Sequence, residues 1–206
     1  MQQLFTKKIK IIVTIFYMLF MCGLNAQNNK IGALKIKNGV LVYNNEDAAP
    51  YTINFYGNID LSKFPFVSID ENMFQFNHNE ASQFGTSEKE ILVNYMNWEI
   101  DYIKSSGKFK IDNVPSSFIT SNGQLIHLWN YTNPLIKEGG KHDDKAYFAS
   151  FVKNDRVYLV CYILYKGTEK EANSSLINIF NGIRFYDEEI DVQKLQESIR
   201  NNSQVN

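Results

Sequence analysis

The chain is poor in the residues that build metal and redox centres. Its 206 residues include two cysteines, Cys22 and Cys161, and three histidines, His78, His127 and His142. None of the histidines lies at the i, i+4 helical spacing or the cysteine-histidine spacing that zinc requires, so no metal site is expected. Gly139-Gly140 is followed by Lys141-His142, not by the Lys-Ser/Thr pair and helix start of a phosphate-binding loop. No Gly-x-Ser-x-Gly elbow occurs, so a hydrolase would have to assemble nucleophile and base from distant segments. No cofactor is implied. Long hydrophobic runs are missing too: the longest, Ile11 to Met21, stops well short of the roughly 20 residues that cross a bilayer.

That short run has a different meaning when its flanks are included. Lys7, Lys8 and Lys10 precede it, no acidic residue interrupts it, and small Ala26 follows before the polar Gln27-Asn28-Asn29. A basic n-region, an apolar h-region and a small residue before the cut predict a secretory signal peptide over Met1 to Ala26. The expected product is a single domain over residues 27–206, exported to the periplasm or the cell exterior. Cys22 at the end of the h-region offers the alternative of a lipid tether, although the Met21 before it is bulkier than the small residue such cleavage favours.

Cleavage would take three lysines from the 21 basic residues and none from the 22 acidic ones, leaving a charge of 18 − 22, or −4. An acidic balance argues against nucleic acid as the partner. Cleavage would also leave Cys161 alone, so no intramolecular disulfide holds the product together. The core must do so, and a composition 44% hydrophobic and 14% aromatic supplies one. Cys161, flanked by Val160 and Tyr162, reads as a buried thiol, not a nucleophile.

Turn and periodicity signals then place the elements. Asn38-Gly39 predicts a two-residue hairpin between Leu34–Lys37 and Val40–Tyr43. Alternation predicts strands over Tyr51–Tyr56 and Met73–His78, with a packed loop from Asp60 to Asp70 between them. Ser87 and Glu90 form a capping box for a helix ending at Gly107, with Ile91, Leu92, Tyr95, Trp98, Tyr102 and Ile103 as its buried stripe. Strands follow at Phe109–Ile111, at Ser117–Thr120 and Gln124–Tyr131 around Asn122-Gly123, and at Ala146–Lys153 and Arg156–Tyr165 around Asn154-Asp155. The last strand is apolar on both faces and is expected centrally in a covered sheet. A second capping box, Thr168 and Glu171, opens a helix to about Phe180. Gly182–Tyr186 is extended, Asp191–Asn201 is a last helix, and Asn202–Asn206 should fray. The expected class is α+β, a mainly antiparallel sheet flanked by helices.

The run Asp155-Arg156-Val157-Tyr158-Leu159-Val160-Cys161-Tyr162-Ile163-Leu164-Tyr165, a helix, then Ile179-Phe180-Asn181-Gly182-Ile183-Arg184-Phe185 resembles the ending of PsbP/Mog1-like domains. Tyr51-Thr52-Ile53-Asn54-Phe55-Tyr56 looks like their opening strand. The resemblance implies a three-layer α/β/α sandwich used for binding or assembly, with no catalytic centre to carry over.

Among the residues themselves, strand alternation puts His127, Trp129 and Tyr131 on one side, an imidazole beside two amphipathic aromatics. They are the candidate recognition surface. Leu125 shares that side, so a core face covered by the Ser87–Gly107 helix is the competing reading. His142-Asp143-Asp144 and Glu188-Glu189 sit in polar runs and read as solvated surface. The expected function is a non-enzymatic exported protein that binds another protein or a small ligand of the cell envelope. The alternatives are an immunity-type protein that neutralises a toxin and an envelope-directed hydrolase. A pocket holding His127 or His142 beside a carboxylate and a hydroxyl would favour the enzyme, and a flat aromatic patch with an acidic rim the binder.

Overall fold

The computed structural model describes residues 31–34, 40–44, 48–55, 59–60, 67–69, 72–107, 110–132, 145–163 and 168–203. Met1 to Ala26, with Cys22, and the loop holding His142 lie outside them. Among the described residues no helix is long and apolar enough to cross a membrane.

Among the described residues, eleven strands form two antiparallel sheets. The small one has the order β1 (Ile31–Leu34), β2 (Val40–Tyr43), β3 (Tyr51–Asn54), β11 (Ile183–Phe185). The large one has the order β4 (Ile59–Asp60), β5 (Val67–Ile69), β6 (Asn72–Glu80), β10 (Arg156–Ile163), β9 (Lys145–Lys153), β8 (Gln124–Thr132), β7 (Ser116–Ser121). The helices are α1 (Glu88–Gly107), α2 (Glu169–Asn181) and α3 (Val192–Ser203).

β10 is the fourth of seven strands, which explains its two apolar faces. Val157, Leu159 and Cys161 pack under α1 with Leu92, Tyr95 and Ile103. Tyr158, Val160 and Tyr162 pack on the opposite side with Leu41, Tyr51 and Ile53 of the small sheet and with Ala172, Leu176 and Ile179 of α2. The layers are therefore α1, the large sheet, and a third layer shared by α2 and the small sheet. Behind the small sheet, α3 adds cover: Val192 and Leu195 lie against buried Val40, Val42 and Ile190. Asn44 secures that cover, its Nδ2 donating to the Ile190 carbonyl and its Oδ1 accepting from the Ile190 amide, both at 2.9 Å.

Local chemistry sets the boundaries. Thr168 and Glu171 cap each other's backbone amides at the start of α2, and Ser87 and Glu90 do so at the start of α1. Asn154 and Asp155 both have positive φ, 47° and 57°, as do Asn122 and Gly123 at 51° and 76°, so both hairpins turn through the type I′ geometry that matches strand twist. Gly182 ends α2 where β11 meets β3: a Cβ there would stand 2.6 Å from the Asn54 carbonyl oxygen, closer than any side chain tolerates.

Four expectations are corrected. β1 pairs Leu34 with Val40, three residues away from the Lys37–Val40 pairing of a two-residue Asn38-Gly39 turn, and residues 35–39 lie outside the described residues. The segment from Asp60 to Asp70 contributes Asp60 to β4 and Val67–Ile69 to β5, short strands at the sheet's margin whose pairing, β4 with β5 and β5 with β6, no local pattern announces. Lys110-Ile111 is not a strand; Ile111 is buried in an irregular connection under α1. α3 continues to Ser203, past the expected fraying point.

Candidate functional site

The three residues singled out from strand alternation do share a face of β8, but α1 covers that face. His127 is 0% exposed, and Trp129 and Tyr131 are each 2% exposed. Trp129 stacks on Phe148, its direct cross-strand partner, with ring centroids 3.8 Å apart and planes 5° from parallel. His127 stacks on Phe118 at 4.4 Å, and its Nδ1 lies 3.2 Å from the Leu92 carbonyl oxygen of α1. Burial lowers the imidazole pKa, so the ring is neutral, with Nδ1–H as the donor to Leu92. The recognition surface expected at His127, Trp129 and Tyr131 is thus corrected to core. The reason is physical: helix α1 buries its apolar stripe on the same side that carries these rings.

A nucleophile and base do not assemble there. Ser150 sits directly opposite His127 in the ladder, but no hydrogen bond joins Ser150 Oγ to His127 Nε2, and both residues are sealed at 0% exposure. No carboxylate is hydrogen-bonded to the imidazole among the described residues. Cys161 is likewise buried, and desolvation pushes its thiol far above the range in which a thiolate forms. Among the described residues no group of histidine, cysteine and acidic side chains is arranged to hold a metal ion.

The exposed aromatic group is on the other side of α1. Trp98, expected in the buried stripe, is 39% exposed. Its ring is held by Phe84 at 5.7 Å, by Tyr95 at 5.9 Å and by Tyr102 at 6.3 Å. Phe84 is brought onto the helix by Asn94, whose Nδ2 donates to the Phe84 carbonyl at 2.6 Å. Exposed Asn94 and Asp101, four residues before and three after Trp98, lie beside it on the helix surface. Phe84 and Tyr95 are themselves buried, so the outer surface of this aromatic ridge is the Trp98 ring with part of Tyr102, beside polar Asn94 and acidic Asp101.

The position that replaces Trp98 in the buried stripe is Glu99, 3% exposed and one turn after Tyr95. Asn79 Nδ2 donates to the Tyr95 hydroxyl at 3.2 Å, and the Tyr95 hydroxyl donates to Glu99 Oε1 at 2.7 Å. Burial raises the Glu99 carboxyl to about 7, against the lowering effect of the Tyr95 hydrogen bond. Its charge in turn adds to the burial that pushes Tyr131 and Cys161 upward. This polar chain links α1 to Asn79 of β6 beneath the helix, beside the apolar contacts of Leu92 and Ile103. Neither Trp98 nor Glu99 was singled out by composition. The signal was available in the spacing, since Leu92, Tyr95, Glu99 and Ile103 recur every three to four residues.

These features define an antiparallel α+β sandwich domain whose helix α1 presents Trp98 at the surface; among the described residues Tyr186, 37% exposed, is the other exposed large hydrophobic side chain. No sequence-family description matches the chain, and no characterised protein matches its sequence. Its fold is similar to the solution structure of cyanobacterial PsbP (CyanoP) from Synechocystis sp. PCC 6803, with 8% identity and a TM-score of 0.46 over 75% of this chain and 96% of that chain.

Proposed function

We propose that this protein is an exported, non-enzymatic binding or accessory protein of the cell envelope, and that it recognises a protein partner through the ridge centred on Trp98. The observation that carries the reading is the exposure of Trp98 within a preformed cluster of Phe84, Tyr95 and Tyr102. Tryptophan and tyrosine dominate the energetics of protein interfaces because they offer large contact area with few rotors to freeze. A ridge already stacked loses little further entropy on binding. Trp98 stands outside the core while Trp129 lies within it, and this separates a surface for recognition from a face for packing. Export rests on the Met1 to Ala26 pattern and is part of the proposal, as is the periplasmic or extracellular setting.

The reading favours binding over the hydrolase because exposed Trp98 has an acidic neighbour in Asp101, while His127 is sealed without a carboxylate. Immunity-type neutralisation of a toxin is one form such binding would take. The test is capture from the envelope fraction of the producing cell with the wild-type chain and Trp98→Ala. A stoichiometric partner is expected with the wild type and is expected to fall at least tenfold with the variant, the effect of losing a central aromatic anchor. Equal recovery by both would overturn the assignment of the ridge.

A further inference from the structure

β7 ends the large sheet, and no described strand pairs with its outer edge. Of the other described sheet edges, β4 has two residues including Asp60, β11 has three including Arg184, and β1 is limited to the four residues Ile31–Leu34. β7 is longer and uncharged. It runs for six residues, Ser116-Ser117-Phe118-Ile119-Thr120-Ser121, and no ionisable side chain occurs from Asn113 through Gly123, in a chain that is 21% charged.

The hairpin fixes which backbone groups face outward. Ser121 pairs with Gln124 across the two-residue Asn122-Gly123 turn, so this is a hydrogen-bonded pair. Bonded and non-bonded pairs alternate along an antiparallel ladder, so Ser121, Ile119 and Ser117 direct N–H and C=O toward β8. Thr120, Phe118 and Ser116 direct theirs away from it. Three donors and three acceptors are thus lined up on the outside of the sheet, symmetrically about Phe118.

We propose that this edge is a self-association site at which β7 pairs antiparallel with β7 of a second copy, joining two seven-stranded sheets into one. A two-fold axis through the edge at Phe118 places Phe118 opposite its own counterpart, exchanging both backbone bonds, and Ser116 opposite Thr120 of the second copy. Ser117 then faces Ile119 of the second copy on the other side of the sheet. An isologous pairing confronts every side chain near the axis with its own copy, so any charge on the strand would repel itself. An uncharged β7 meets that requirement, whereas a charged peptide would find no complementary charge along the strand. The cation that stands on Phe118, Lys89 Nζ at 5.2 Å from the ring, belongs to an exposed side chain of α1 that can swing into solvent. The site is separate from the Trp98 ridge and does not depend on it.

Sedimentation of the purified chain from about 1 μM to about 1 mM tests this, with amide exchange read at each residue of β7. The expected result is a concentration-dependent doubling of mass, with slowing of exchange at Phe118 and Thr120 on dimerisation. Ser117 and Ile119, bonded to β8, stay slow at every concentration. Thr120→Pro removes an outward N–H without breaking the β7–β8 ladder and is expected to weaken association at least tenfold. Ser117→Lys, on the exposed side chain, should do the same and serves if the proline variant fails to fold. A wild-type chain that stays monomeric throughout, or a dimer in which the Phe118 and Thr120 amides exchange as fast as in the monomer, would overturn the proposal. Slowing of those amides only when another polypeptide is added would also overturn it, in favour of a different occupant.

Discussion

Trp129→Ala is expected to destabilise the domain by about 3–5 kcal/mol, the usual cost of truncating a large buried aromatic that leaves a cavity its neighbours do not refill. The loss has two parts. The ring leaves the hydrophobic layer between α1 and the large sheet, and Phe148 loses its cross-strand stacking partner at 3.8 Å. Trp98→Ala is expected to cost about 1 kcal/mol or less, because the ring is 39% exposed and the stripe beneath it remains intact. Urea unfolding of both variants measures the difference. Equal losses would mean that the ridge is packing surface and would remove the contrast on which the functional reading stands.

The second large effect is on pH dependence. The Glu99 carboxyl titrates near 4.5 in the unfolded chain and at about 7 in the folded one. Below 4.5 both states hold the proton and no difference arises. Between 4.5 and 7 the folded chain keeps a proton that the unfolded chain has released, so stability falls as pH rises. Above 7 the folded chain buries the charge, and the accumulated loss is roughly 3 kcal/mol. Glu99→Gln keeps an acceptor for the Tyr95 hydroxyl and removes the titration. The variant is expected to match the wild type at pH 4.5 and to melt about 5–10 °C higher at pH 8. Glu90, Glu171 and Asp191 have carboxyls lowered by backbone amides, first those of Thr86, Thr168 and Lys194 respectively, so they weaken the fold only as pH falls through the acid range. Subtracting the two melting curves therefore isolates Glu99. A difference that does not change from pH 4.5 to 8 would show that the carboxyl is not buried in the folded protein.

Much of the architecture was legible because it depends on local rules. The two capping boxes, the Asn122-Gly123 and Asn154-Asp155 turns and the doubly apolar β10 each follow from backbone chemistry within a few residues. β4 and β5 were not legible, since two- and three-residue strands carry no period and exist only by pairing, β5 with β6 and β4 with β5. The β1 register was missed for a related reason: Asn-Gly favours a tight turn, but β1 pairs Leu34 with Val40, so the strand-strand pairing and not the local turn signal sets the register.

The site was legible only in its ingredients. Alternation correctly put His127, Trp129 and Tyr131 together, but whether a sheet face is open or covered depends on where a distant helix docks. Hydrophobicity placed Trp98 in the buried stripe, and the fold exposes Trp98 and buries Glu99 instead. Tyr95 is part of the reason. Its hydroxyl meets Glu99 and Asn79 under the helix, and with Leu92, Ile100 and Ile103 also packed on the sheet, Trp98 is left at the surface.

The central claim, that Trp98 is the recognition anchor, is tested most directly by iodide quenching of a Trp129→Phe variant, in which Trp98 is the sole tryptophan. Its fluorescence is expected to be quenched freely in the isolated protein and to be shielded once a captured partner is bound. Quenching that is unchanged in the complex would place recognition elsewhere on the molecule.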